Sequence, residues 1–193
     1  RQELYGGDRG RALTFLGFEG SKPILLCMGG SQGAAALNDA LRENLPQLLP
    51  RFDIVHLCGK GKLSPAHEGL AGYRQYEYLG AELPDVFAAA SLAISRAGAN
   101  SIFEFLALAI PMLLIPLPLS ASRGDQLLNA DYFKRKGWAD VLFQEDVTKE
   151  SLLDAINALF SKREKMAALM RAAPAGDGTE NVLREIYAAA EEK

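Results

Sequence analysis

Only two cysteines and two histidines occur among 193 residues. No Cys-x-x-Cys pair and no nearby histidine spacing accompany Cys27 or Cys58. A metal finger or a disulfide framework is therefore disfavoured, and both thiols read as reduced core residues. Lysine and arginine total 21 against 24 acidic residues. No basic run is long enough for a nucleic-acid footprint, so no nucleic-acid partner is expected. No apolar run reaches the ~20 residues of a membrane-spanning helix. The longest, Ile110 to Leu119, is broken by Pro111, Pro116 and Pro118. No charged segment followed by an apolar stretch opens the chain, so no signal peptide is expected. Arg1 rather than Met stands first, which suggests a fragment or a processed start. Also missing are a Walker A loop, a Gly-x-Gly-x-x-Gly fingerprint and an Asp-x-Asp motif, so neither a dinucleotide cofactor nor a metal is expected.

What the chain has is alternation. Short runs, most of them apolar, at 23–28, 52–57, 74–79, 91–95, 112–115 and 139–143 read as strands. Between them lie helical patterns at 34–49, 83–89, 100–109 and 125–136, with a weak short one at 64–72. In the first, Leu37, Leu41, Leu45 and Leu48 form one stripe. Three helices, 149–160, 162–173 and 178–192, are expected to close the chain. Apolar strands without polar alternation imply burial on both faces. The fold class expected is α/β, a Rossmann-like doubly wound parallel sheet of about six strands in one domain over residues 1–193.

Ligands of such sheets bind outside the carboxyl ends of the strands. Three polar, glycine-bearing loops fall there. Gly29-Gly30-Ser31-Gln32-Gly33 joins a strand to a helix, and backbone N–H groups at a helix start favour an anion. Without a ligand it would be a tight corner. Ser95-Arg96-Ala97-Gly98-Ala99-Asn100-Ser101 repeats the pattern, with Glu104 about one turn into the helix, where a carboxylate suits ribose hydroxyls or simply the helix dipole. Arg96 reads as a bridge between loops rather than a phosphate partner. In the third loop, Asp125 and Gln126 offer an acceptor and a donor to sugar hydroxyls, although Asp125 also reads as a helix N-cap. Asn129 reads as a pin for that loop. His56, inside a strand, reads as core, and His67 as a polar surface residue. Neither is a good base. Diphosphate, ribose and sugar together describe a nucleotide sugar.

At these residues the chain resembles a known family. "GGSQGAAALNDAL", "SRAGANSIFEFLALAIPMLLIPLPLSASRGDQLLNA" and "GDGTENVLREI" look like the C-terminal half of the MurG family, which transfers N-acetylglucosamine from UDP-GlcNAc to lipid I, forming lipid II for peptidoglycan. The resemblance implies one half of a GT-B glycosyltransferase, with the acceptor domain and the base on an N-terminal half that this chain lacks. It implies that Arg1 contacts phosphate. Gly30, Ser31, Gln32 and Gly33 would hold the diphosphate. Tyr78 and Leu79 would meet the uracil, and Ala99, Asn100 and Ser101 would set a helix N-terminus at the α-phosphate. Glu104 would hold the ribose, and Asp125 and Gln126 the sugar. Many relatives carry Gln where Asp125 stands. No catalytic residue is expected in this chain. The partners implied are UDP-GlcNAc and lipid I, at the cytoplasmic face of the bacterial membrane, by peripheral association. Another GT-B enzyme, such as a glycolipid glycosyltransferase or a UDP-GlcNAc epimerase, and a non-catalytic nucleotide-binding module stay open as alternatives.

Overall fold

The computed structural model describes residues 5–29 and 35–173. Six strands form one parallel sheet: β1 (Ile24–Met28), β2 (Asp53–Leu57), β3 (Tyr73–Tyr76), β4 (Ala90–Ser95), β5 (Met112–Leu114) and β6 (Ala139–Val141). Their spatial order is β3-β2-β1-β4-β5-β6. The chain winds outward from β1 to β3, crosses back to β4 beside β1, and then winds outward the other way. This is the Rossmann order, and the reversal carries the crossover helices onto opposite faces. Ile24, Leu25, Leu26 and Cys27 of the central strand are wholly buried, as its unbroken apolar run requires.

The helices are α1 (Arg9–Leu16), α2 (Ala35–Glu43), the single turn α3 (Leu45–Leu48), α4 (Leu83–Ala89), α5 (Ala99–Ala107), α6 (Asp125–Arg135) and α7 (Lys149–Arg171). Leu37, Leu41, Leu45 and Leu48 are all buried, as their spacing predicts. The single helix expected over 34–49 is split at Asn44, whose side-chain amide donates to Ala40 and Lys149 carbonyls at 2.9 and 2.8 Å. The weak helix expected over 64–72 shortens to one 3-10 turn, Pro65–His67.

Two further differences concern helices. The two expected over 149–160 and 162–173 are one continuous α7. Ser161 at the supposed junction bonds back to the Ala158 carbonyl at 2.7 Å, which keeps it within the helix. A reciprocal cap starts α7: Thr148 Oγ1 accepts from the Ser151 N–H, and Ser151 Oγ accepts from the Thr148 N–H. Helix α1 has no expected counterpart, because its sequence carries little apolar periodicity. Tertiary contacts and a cap hold it instead. Asp8 caps its first turn at 2.8 Å, and it packs along α4. The expected helix over 178–192 lies outside the described residues.

Candidate functional site

In this strand order the crevice opens where the winding reverses, above the carboxyl ends of β1 and β4. Met28 and Ser95 are register partners there. From β1 the chain enters residues 30–34, so Gly30, Ser31, Gln32 and Gly33, like Arg1, lie outside the described residues. From β4 it turns through Arg96, Ala97 and Gly98 into α5.

Gly98 is the N-cap of α5, in an extended conformation and without a side-chain capping bond. The first intrahelical bond here runs from Ile102 N–H to the Gly98 carbonyl. The N–H groups of Ala99, Asn100 and Ser101 thus precede the helical ladder, and the cap residue itself has no side chain to offer them. Buried Ile102 and Phe105 turn α5's other side to the core. Its outward stripe, spaced by four residues, carries Ala99, Phe103 and Ala107 beside Asn100, Glu104 and Leu108. That stripe lines a cavity of about 320 Å³, with Tyr5 opposite. Three of the expected site residues, Ala99, Asn100 and Glu104, therefore meet in one cavity. Tyr78, Leu79, Ser101, Asp125 and Gln126 are not among the residues lining it. Tyr78 is exposed in the loop between β3 and α4, and Leu79 packs half-buried against the core.

Sequence reasoning missed Tyr5 and Phe103. Phe103 had a signal: an aromatic on the side of α5 away from Ile102 and Phe105. Its ring meets Phe133 edge-on at 5.4 Å, yet 54% of the residue stays exposed. Tyr5 sits in a short segment with no motif, and its neighbourhood is visible only in three dimensions.

The loops beside α5 are tied together. Arg96 is buried, and its Nη1 donates to the Ile115 carbonyl at 3.0 Å, joining the ends of β4 and β5 as the bridging reading expected. Burial lowers its pKa from the usual arginine value. Asn129 Nδ2 donates to the Ala97 carbonyl at 3.0 Å, so it does pin the loop. Gln126 Oε1 accepts from the Leu117 N–H at 3.1 Å and holds the proline-rich exit of β5. Its carbonyl is thus engaged with backbone. The N-cap reading of Asp125 is corrected: Gly124 occupies the cap, in the left-handed region at φ 88°, and exposed Asp125 begins the first turn. Glycine takes this conformation without the Cβ clash that aspartate would meet.

On the β1 side, polar chemistry is internal. Asn38 of α2, His56 of β2 and Tyr73 of β3 form a buried chain. Asn38 Nδ2 donates to the Cys58 carbonyl at 2.9 Å. Its Oδ1 therefore faces His56 Nε2 at 2.9 Å, and that nitrogen carries the proton. His56 Nδ1 then accepts from the Tyr73 hydroxyl at 2.8 Å. Burial, reinforced by the Arg42 and His67 charges, pushes the His56 pKa down to about 3. His56 is core, as expected, and is locked in its neutral form. His67 accepts or donates at the Ser64 hydroxyl, 2.8 Å away, in a half-buried surface turn. Cys27 and Cys58 are free, buried thiols. Among the described residues no three His, Cys, Asp or Glu side chains converge as a metal site, and no helix is long and apolar enough to cross a membrane.

Comparison with known proteins places this geometry. The model of the glycosyltransferase family 28 C-terminal domain matches residues 24–186. The UDP-N-acetylglucosamine–N-acetylmuramyl-(pentapeptide) pyrophosphoryl-undecaprenol N-acetylglucosamine transferase 2 of Bacillus anthracis is 48% identical over 186 residues, covering 96% of this chain and 53% of that protein. The transferase of the same description from Geobacillus kaustophilus is 49% identical over 183 residues, covering 95% and 51%. Among solved structures, that of Acinetobacter baumannii MurG superposes with a TM-score of 0.74 at 26% identity, over 96% of this chain and 54% of that one. The chain spans about half the length of the curated relatives it matches.

Proposed function

The chain belongs to the glycosyltransferase family 28 C-terminal domain family, and on that premise we propose that it is the donor-binding half of an inverting glycosyltransferase using UDP-N-acetylglucosamine. The observation that carries the reading is the placing of Glu104 one turn beyond the N-terminus of α5, the helix that starts from the switch point, in one open cavity along its outward face. The helix start suits a phosphate, through the N–H groups of Ala99, Asn100 and Ser101 and the positive end of the helix dipole. Glu104 suits the two ribose hydroxyls that follow a 5′-phosphate at that spacing. Tyr78 and the Leu79 backbone would meet the uracil from the neighbouring loop. Arg1 and the glycine loop at Gly30, Ser31, Gln32 and Gly33 would take the rest of the diphosphate. Asp125 and the Gln126 side-chain amide would hold the sugar.

In such a reaction an acceptor hydroxyl attacks the anomeric carbon, the glycosidic bond to phosphate breaks, and the electron pair leaves on the diphosphate. This half's contribution is electrostatic: fixed backbone dipoles aimed at the oxygens where charge accumulates. The acceptor reading is lipid I, a pyrophosphoryl-undecaprenol such as the relatives' names describe. The acceptor site and the general base would lie in the part of those relatives that this chain does not match, and peripheral association with the cytoplasmic membrane face would come with the lipid.

Titration calorimetry of the chain with UDP and UDP-GlcNAc tests the reading. Saturable binding of both is expected, with no transfer to a lipid I analogue by this chain alone. Absence of binding to either uridine nucleotide would overturn it, as would full transfer by the isolated chain.

A further inference from the structure

The cavity at α5 grades from polar to apolar along the helix. Its first turn offers Asn100 and backbone N–H groups, and its second offers Glu104. Phe103 shares that second turn, and the far end is Ala107 and Leu108. A nucleoside 5′-phosphate has the same order: charge, hydroxylated ribose, flat base. Across from this stripe stands Tyr5, 67% exposed, with its ring unspent on the core.

The segment that directly follows Tyr5 is held by a dense clamp. Gly7 passes so close to α4 that a Cβ on it would fall 2.1 Å from the Pro84 carbonyl oxygen, so only glycine fits. The Asp8 N–H donates to Asp85 Oδ1 at 2.8 Å. Arg11 grips both Asp85 oxygens, from Nε at 2.9 Å and Nη2 at 2.6 Å, and the same Nη2 also reaches the Gly6 carbonyl at 2.8 Å. Gly6 in turn shares a cleft with Gly80 and Ala81, directly after Leu79. The segment 5–7 thus runs between the loop expected to meet the base and the helix expected to hold the ribose.

We propose that Tyr5 is a nucleobase-stacking residue, closing the nucleoside cavity over Glu104 with its aromatic face. The inference rests on the donor-site reading above and adds a contact that no motif in the chain announces. Stacking on one aromatic face is sequence-tolerant, because every base presents a π-surface. Tyr5 would therefore contribute affinity, and the edge contacts at Leu79 would contribute the choice of uracil.

The test is calorimetry of the chain and of Tyr5→Phe, Tyr5→Leu and Tyr5→Ala with uridine, UDP and inorganic pyrophosphate. Tyr5→Ala is expected to weaken uridine and UDP alike by about tenfold, the range for one base on one ring, and to leave pyrophosphate unchanged. Tyr5→Phe retains the affinity. The upfield shift of the uracil H5 and H6 resonances on binding persists in Tyr5→Phe and collapses in Tyr5→Leu. An exposed residue ahead of α1 leaves the thermal midpoint where it was, so lost binding is not lost folding. Unchanged uridine affinity in Tyr5→Ala, with the unsubstituted chain binding normally, overturns the role of Tyr5 alone. Full affinity in Tyr5→Leu overturns stacking in favour of plain apolar cover. An unsubstituted chain that binds no uridine compound overturns the donor-site reading, and Tyr5's role with it.

Discussion

Helices α2 and α5 stand on either side of the switch point, each reached from a neighbouring central strand through a glycine-bearing corner. Their polar side chains are used in opposite ways. Asn38 of α2 turns inward and is consumed by the Cys58 carbonyl and His56. Glu104 of α5 turns outward and lines an open cavity. The contrast teaches that one local pattern, strand then glycine then helix, serves two ends. One helix is bolted to the sheet by its polar group. The other is anchored by apolar Ile102 and Phe105 and turns its polar group to an open cavity.

Breaking the α2 side should cost stability most. Asn38→Leu leaves the Cys58 carbonyl and the His56 Nε2 proton buried without partners, each costing about 1–3 kcal/mol. A loss of roughly 2–5 kcal/mol in urea unfolding is expected, and a loss below about 0.5 kcal/mol would show the chain of bonds to be decorative. Next is the α5 side. Glu104→Ala removes a charge-assisted acceptor worth about 1.5–3 kcal/mol, so UDP affinity of the folded protein should fall roughly 10- to 100-fold. Lost stability with intact affinity in the folded protein would reverse the comparison.

Acid sharpens the contrast further. The folded His56 pKa lies near 3, below the unfolded value of about 6.5. The unfolded chain therefore binds the proton first. The neutral histidine's contribution is complete above about pH 6.5 and is lost progressively as pH falls toward 3. Between pH 7 and pH 5 the loss should be about 2 kcal/mol, by the linkage slope of about 1.4 kcal/mol per pH unit. His56→Gln should flatten that part of the curve. An identical slope in the variant would assign it to other groups.

Much of this was legible in the sequence, for identifiable reasons. Unbroken apolar runs announced the central strands, because a strand buried on both faces leaves little room for polar residues, as in Ile24–Met28. Leu37, Leu41, Leu45 and Leu48 announced a buried stripe. The outward placing of Glu104 on α5 was legible because its offset from Gly98 fixes its helical face. What stayed hidden depends on partners distant in sequence. Helix α1 exists through Asp85 and α4, and its own residues scarcely favour it. The Asn38–His56–Tyr73 chain joins three elements, and nothing in any one of them reports the other two. Asp125 looked like a cap by residue type, but Gly124's left-handed backbone took that position. The two helices expected over 149–160 and 162–173 are one, because a single weak helix former such as Ser161 does not stop a helix that tertiary packing supports.

The strand order also has a consequence for time. Within each half of the sheet, successive strands pair with near neighbours in sequence, as Ile24 with Asp53 and Ala93 with Met112. The seam between the halves joins Ile24 to Ala90 and Met28 to Ser95, across the whole length of β2, β3 and α4. Closing so long a loop comes at greater entropic cost than either half's own pairings. The seam is then the late event in folding, and the crevice exists only once it has closed. A nucleotide recognising that crevice meets nothing to hold in a half-assembled sheet. Its presence should slow the unfolding limb of a chevron and leave the refolding limb untouched, making the ligand a lock on the finished molecule rather than a guide to it.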